Sequence, residues 1–204
     1  MIPSNLESKK KRVVFQDIED KRGKRFSDYQ DEFEYLISAG IALDVNAITT
    51  PVFPLTQSVG KNLLKLYLND VGLLTDVLYG SNIRAILDDE TGINLGSVYE
   101  SVVAQELAAH GYKLFYYDNR SKGEVDYLID DYDSLSAIPI EVKSGKDYTV
   151  HSALSTFIKN DDYHVKKAFV LSNTREITTN GKITYLPIYD VMFLGAGESS
   201  NTPI

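Results

Sequence analysis

The chain of 204 residues contains no cysteine, which excludes disulfides, thiolate catalysis and zinc–cysteine centres together. Its three histidines, His110, His151 and His164, are too scattered for a histidine metal site, so any bound metal is expected on oxygen ligands. No apolar run approaches the roughly 20 residues that cross a bilayer. The opening residues, Met1 to Glu7, lead into a lysine cluster without an apolar segment, so the sequence predicts no membrane partner, no cleaved signal peptide and a cytoplasmic protein. A P-loop is missing too: ahead of the Gly60-Lys61 pair, Leu55 stands where the first glycine belongs, and Asn62 follows in place of Ser or Thr. No ATP site is expected, and no internal repeat is visible.

The composition is that of an ordinary globular protein, with 43% hydrophobic and 25% charged residues. The net charge of −8 argues against a protein that coats nucleic acid by charge alone. That average hides a polar distribution along the chain. Residues 1–25 carry eight Lys/Arg against four acids, which leaves 13 against 25 in the remainder. This basic arm, with Lys9 to Arg12 in it, reads either as a solvated terminus or as a phosphate-binding arm.

Two segments of different character follow. Phe26 to Ala39 has the periodicity of an amphipathic helix, with Phe26, Tyr29, Phe33, Leu36 and Ile37 on one stripe and Gly40 as its stop. Ile41 to Ile48 alternates like a strand, and Pro51 and Pro54 mark a turn before a short return strand. Helix followed by hairpin is the outline of a winged helix, and the apolar run Lys61 to Leu68 is expected to pack against a neighbour. From residue 96 helix and strand alternate: helix Ser97–His110, strands Lys113–Tyr117, Glu124–Ile129 and Ile138–Lys143, helix Thr149–Lys159, strand Lys167–Leu171, and a further strand Lys182–Ile188. The order is αβββαβ, an α/β (α+β) fold on a mixed sheet. The spacing divides the chain into residues 1–90 and 91–204, with the boundary between about 80 and 95, and leaves a loose polar tail from Gly195.

The informative residues lie on two of these strands. Alternation puts Glu124 and Asp126 on one face, opposite Val125, Tyr127 and Ile129; Glu141 and Lys143 share a face opposite Ile140 and Val142. A loop of about eight residues allows a hairpin that sets Asp126 beside Glu141 and Lys143. Burying such charges costs several kcal/mol per ion unless they are paired or metal-bound. Two carboxylates with a lysine two residues from one of them suit metal-assisted phosphodiester hydrolysis. In that chemistry the acids hold Mg²⁺ and the lysine orients a water or neutralises developing charge. The same residues also suit a plain ion-pair cluster.

At these residues the sequence resembles the PD-(D/E)XK, or restriction-endonuclease-like, nuclease superfamily. Its aspartate matches Asp126, with Val125 where the motif has proline, and its Asp/Glu-x-Lys matches Glu141-Val142-Lys143. The resemblance implies Asp126 and Glu141 as metal ligands, Mg²⁺ as cofactor, Lys143 at the water, and an acid from the first helix. A helical wheel favours Glu106 for that acid, near the middle of a stripe of Val98, Tyr99, Val102, Val103 and Leu107; the family pattern of a glycine followed by an early acid favours Glu100. A wider resemblance rests on Leu66 to Leu74, Gly96 to Leu107, Gly123 to Tyr127 and Ile138 to Gly145. Together these look like the uncharacterised C-terminal domain that follows the AAA+ module in a large family of prokaryotic ATPases, where a winged-helix segment precedes a nuclease-like domain.

The resemblance implies a DNA- or partner-contacting module of an AAA+ ATPase with weak or absent catalysis, acting with a separate ATPase module; the alternative is an active Mg²⁺-dependent DNA endonuclease or exonuclease. Arg120, Lys122, Lys113, Lys146, Lys166 and Lys167 are candidates for a phosphate track. A triphosphate needs a glycine-rich cradle of backbone N–H groups and a lysine at its β/γ-phosphates. The purified chain is therefore expected to turn over no ATP above a buffer blank in a steady-state assay.

Overall fold

The computed structural model describes residues 11–13, 18, 26–80, 84, 95–145 and 147–195, with the side chains of residues 60–62 excepted. The expected segment boundary near 80–95, most of the basic arm, Lys146 and all but the first residue of the polar tail lie outside the described residues. Helix α1 is Gln30–Ser38, preceded by a short 3-10 turn at Phe26–Asp28 and followed by Gly40 at a φ of 69°. Strands β1 (Ala42–Ile48) and β2 (Val59–Leu68) pair antiparallel, with Val45 opposite Lys65 and Asp44 opposite Leu66. The return strand therefore begins later and runs longer than the turn prolines suggest. Leu64, Lys65, Leu66 and Tyr67 are all buried in succession, and a strand covered on both faces loses the alternation that would reveal it.

Helix α2 (Val71–Tyr79) starts at Asp70, whose carboxylate accepts from the Gly72 and Leu73 amides at 2.7 and 3.4 Å, satisfying two otherwise orphaned donors. Helix α3 is Gly96–Ala109. Strands β3 (Phe115–Asn119), β4 (Gly123–Asp131) and β5 (Ser136–Lys143) form an antiparallel meander. Helix α4 (Ser152–Ile158) crosses over to β6 (Ala168–Ser172), parallel to β5. The expected αβββαβ order thus runs from α3 to β6. Strands β7 (Thr178–Asn180) and β8 (Ile183–Pro187) complete an eight-stranded mixed sheet in the order β2-β1-β3-β4-β5-β6-β8-β7.

The hairpin does not stand apart as a wing. β1 runs parallel to β3, with Asn46, Ala47 and Ile48 opposite Phe115, Tyr116 and Tyr117, so the first segment extends the sheet of the second. Both faces of that sheet are covered. One core gathers Phe33, Val45, Leu66, Leu74, Val103, Leu107, Tyr127, Ile138 and Ile140, beneath α1, α2 and α3. The other gathers Ile48, Leu55, Phe115, Tyr117, Val125, Leu128, Leu154, Phe157 and Val170, beneath α4. The Leu55 amide donates to Asp130 Oδ1 at 3.0 Å and ties the β1–β2 connection to β4.

The turn from β3 into β4 ends at Gly123, at a φ of 89°, where an added Cβ would lie 2.9 Å from the Ala153 Cβ on α4. Left-handed backbone and close approach both require glycine here. Gly181, at a φ of 61°, has nothing within 4 Å of the same construction. Gly123→Ala is expected to cost roughly 2–4 kcal/mol, from strain and overpacking together. Gly181→Ala should cost about 1 kcal/mol, from the left-handed backbone alone. Urea unfolding of the two variants measures the difference.

Candidate functional site

Two local features of the sheet create the site. Between Phe115 and Tyr117 on β3, β4 advances three residues, from Leu128 to Val125, which is a β-bulge. It turns Val125 into the same core as Leu128, while Tyr127 and Ile129 enter the opposite core. The simple alternation, which groups Val125 with Tyr127 and Ile129, therefore fails at this point, because the extra residue resets the faces. Secondly, β4 and β5 pair from Asp131 and Ser136 only as far as Tyr127 and Ile140. Beyond that pair the strands part, and Asp126 Oδ2 accepts from the Val142 amide at 2.8 Å across the gap. The aspartate thus sits in a fork between the two strands that carry the candidate residues.

Helix α3 brings Glu100 to this fork. Its buried side is Ser97, Glu100, Ser101, Ala104 and Leu107, with Val98 and Val103 flanking. The large apolar residues misplace the buried face by roughly 140° at about 100° per residue, because Ser97, Ser101 and Ala104 are small enough to lie close over the sheet. Glu100, 5% exposed, falls within the buried face, and Glu106 is only partly buried. The Tyr67 hydroxyl donates to Glu100 Oε2 at 2.9 Å, and the Tyr127 hydroxyl donates to the Glu100 carbonyl at 2.9 Å. Lys11 Nζ pairs with Glu100 Oε1.

Glu141 is 6% exposed. Its Oε1 accepts from Lys143 Nζ at 2.7 Å, while its Oε2 is buried with no hydrogen-bond partner. The lysine beside it keeps 31% of its side chain accessible. Lys65, on β2, is 0% exposed: it donates to Glu124 Oε1 and lies 4.6 Å from the centre of the Tyr116 ring. On the far side of Glu141, His151 is buried with its Nε2 2.8 Å from the Tyr185 hydroxyl and its Nδ1 3.1 Å from Ser155 Oγ.

The electrostatics follow from this crowding. Burial, then Glu141 and Glu100, push the Asp126 carboxyl well above the usual aspartate range, against the opposing pull of Lys65 and the Val142 amide. Burial and Glu100 also raise Glu141, although Lys143 and His151 work the other way. Burial lowers the proton affinity of Lys65, but Glu124, Glu100 and Asp126 outweigh it and leave the pKa raised. Lys143 is raised by Glu141, Asp126 and Glu100 in spite of its own desolvation. Tyr116, next to these charges, is pushed up to about 12, chiefly by burial.

The fork, α3 and β5 thus bring together Glu100, Asp126, Glu141 and Lys143. Lys65 and Tyr67 from the first segment were not among the residues anticipated. A lysine and a tyrosine two apart inside an apolar run share one strand face, and an ammonium within such a run demands a buried counter-charge; that signal was present in the sequence. Among the described residues, no group of three or more His, Cys, Asp or Glu side chains is arranged to hold a metal by itself. The donor set nevertheless suits a hard cation: two inward carboxylates, both raised by burial and by Glu100, and a buried carboxylate oxygen without a partner. Mg²⁺ commonly takes one or two protein carboxylates and completes its shell with water and phosphate.

Residues 95–191, just under half of the chain, match the family model described as a domain of unknown function, DUF4143. That stretch begins at α3 and ends within the 3-10 turn Ile188–Phe193, so it contains Glu100, Asp126, Glu141 and Lys143 and omits Lys65. No curated protein and no solved structure matches the chain.

Raised carboxyl groups make stability depend on pH in a defined direction. The native state holds protons on Asp126 and Glu141 more readily than the unfolded state, whose values lie near 3.8 and 4.5. Stability should therefore fall as pH rises above that range and level off once both groups are ionised. The raised lysines act in the same direction but only above about 10.5, where the stability that their pairing contributes is lost. Asp126→Asn removes the penalty and keeps an acceptor for the Val142 amide. It is expected to raise stability above the unfolded-state carboxyl range and to flatten the profile there, as read by thermal melts from acid to neutral pH.

Proposed function

We propose that this chain carries a divalent-cation-dependent phosphodiester-cleaving centre, acting on DNA within a module that works beside an ATPase. The observation that carries the reading is the fork. Asp126 is bonded across to Val142, and so faces Glu141, whose Oε2 is buried and unpartnered. Asp126 and Glu141 would hold the cation. When bound, Mg²⁺ polarises a phosphate oxygen and lowers the pKa of a coordinated water. Of the two lysines on the sheet, Lys143 is the one a substrate can reach, because Lys65 has no exposed surface; its ammonium orients the attacking water or meets charge developing on the phosphate. Glu100, fixed by the Tyr67 hydroxyl, stands as an auxiliary acid. The tyrosines and Lys65 hold the carboxylates in place without touching substrate.

A cleft of about 590 Å³ at the β3–β4 turn, reaching Glu124 two residues before Asp126, supports a nucleic-acid substrate. Arg12, Asn119 and Arg120 line it together with Asp118, Gly123 and Glu124. The ATPase partner is supported by the resemblance of the four sequence strings to the domain that follows an AAA+ module, and by the family match of residues 95–191. A second reading, a DNA- or partner-contacting module with weak or absent cleavage, is favoured by a different observation: Glu100, Glu124 and Glu141 each already have a lysine on them.

Mg²⁺ or Mn²⁺ should produce cleavage of DNA that Asp126→Asn and Lys143→Ala reduce by about 100-fold or more, with folding preserved. Under the second reading the same substitutions leave DNA affinity unchanged and no cleavage appears. Binding then falls with salt, with a log–log slope of about 0.9 per phosphate contact on duplex DNA. Cleavage that survives both substitutions would overturn the assignment of these residues.

A further inference from the structure

The segment Lys11–Val13 lies outside every described helix and strand, yet it is fastened to the site at three successive residues. The Lys11 ammonium pairs with Glu100 Oε1, the lysine side chain being 19% exposed. Arg12 Nη1 donates to Asp118 Oδ2 at 3.1 Å, at the mouth of the cleft. The Val13 amide donates to the Leu64 carbonyl of β2 at 2.9 Å, and the valine side chain enters the core, 6% exposed. The core valine and the strand bond anchor the segment, and the two charges in front of it bridge to α3 and β3.

The three lysines at the site are not equivalent. Lys65 is sealed within the sheet, and Lys143 shares a strand with the Glu141 it pairs. Lys11 comes from outside the sheet and reaches in. Among the described residues, four carboxylates, Glu100, Glu124, Asp126 and Glu141, face three ammonium groups, Lys11, Lys65 and Lys143, which with every group ionised is a formal charge of −1. Withdrawing Lys11 makes it −2, the charge that one divalent cation balances. Resting on the reading of Asp126 and Glu141 as cation ligands, we infer that Lys11–Val13 is an autoinhibitory strap. Its Lys11 ammonium is an exchangeable internal counter-ion, so that a divalent cation and the strap compete for the acidic site. Release of the strap also frees Arg12 from Asp118 at the cleft, which links cation binding to the display of an arginine for phosphate.

The test uses the whole chain and two readouts that do not depend on cleavage. Tb³⁺ luminescence sensitised by the neighbouring Tyr67 and Tyr127 rings reports occupancy of the site. Trypsin cleavage after Lys11 and Arg12, followed by mass spectrometry with and without Mn²⁺, reports release of the strap. Lys11→Met is expected to tighten Tb³⁺ binding by roughly three- to tenfold, and Lys11→Arg, which keeps the charge, to leave it near wild type. Mn²⁺ should speed cleavage after Lys11 and Arg12 several-fold in the wild type and not in Asp126→Asn. Unchanged or weaker Tb³⁺ binding by Lys11→Met, or cleavage indifferent to Mn²⁺, overturns the strap; if Asp126→Asn still abolishes Tb³⁺ binding, the site reading survives that failure. Asp126→Asn that binds Tb³⁺ like the wild type, or the absence of a tyrosine-sensitised signal in both wild type and Lys11→Met, overturns the site reading and the strap with it.

Discussion

The structure depends on how four carboxylates are kept at one end of a sheet whose two faces are covered by largely apolar cores. A buried, unpaired carboxylate costs several kcal/mol, and the fold meets that cost with a different device for each acid. Glu124 has a fully enclosed lysine, Glu141 a partly accessible one, Glu100 a tyrosine hydroxyl and an ammonium from outside the sheet, and Asp126 a main-chain amide. The last device is possible only because β4 and β5 stop pairing after Tyr127 and Ile140. An intact ladder would direct the Val142 amide to a β4 carbonyl and leave the aspartate without its donor. The bulge in β4 belongs to the same arrangement, since it lets Val125 and Tyr127 anchor opposite cores on either side of Asp126.

Joining the two chain segments in one sheet has a chemical consequence. Lys65 and Tyr67 come from β2, separated from β4 in the sheet by β1 and β3, and reach the acids by lying beneath α3 and across Tyr116. The domain stretch 95–191 therefore holds the acids, and the first segment supplies part of their compensation. Cutting the chain between them would leave Glu124 without its buried lysine and Glu100 without its tyrosine. On physical grounds the two segments form one unit around the site, although the sequence divides into a helix–hairpin part and an αβββαβ part.

Much of this was legible beforehand, for reasons tied to particular residues. Glu141-Val142-Lys143 lies in a regular stretch of β5, where Ile138, Ile140 and Val142 all point into one core, and there alternation gives the correct faces. It misleads at Val125 because a bulge leaves no mark on a pattern of period two. The helical wheel misjudged α3 because its buried side is built from serine and alanine around Glu100, so that hydrophobicity and burial point in different directions. β2 was obscured by being apolar on both sides. The pairing of β1 with β3 depends on contacts about 70 residues apart in the chain, and neither propensity nor period carries that information.

The Val13–Leu64 bond has a meaning for the molecule's company as well as for its site. Among the described strands, β2 is one border of the sheet; the other, β7, is three residues long and exposed throughout. A ten-residue strand at a border offers a row of main-chain groups to any passing chain, and part of that row is occupied by Val13. A strap that leaves its seat therefore opens a template for strand addition. The cover on part of that border and the ammonium on Glu100 come from the same short stretch of backbone.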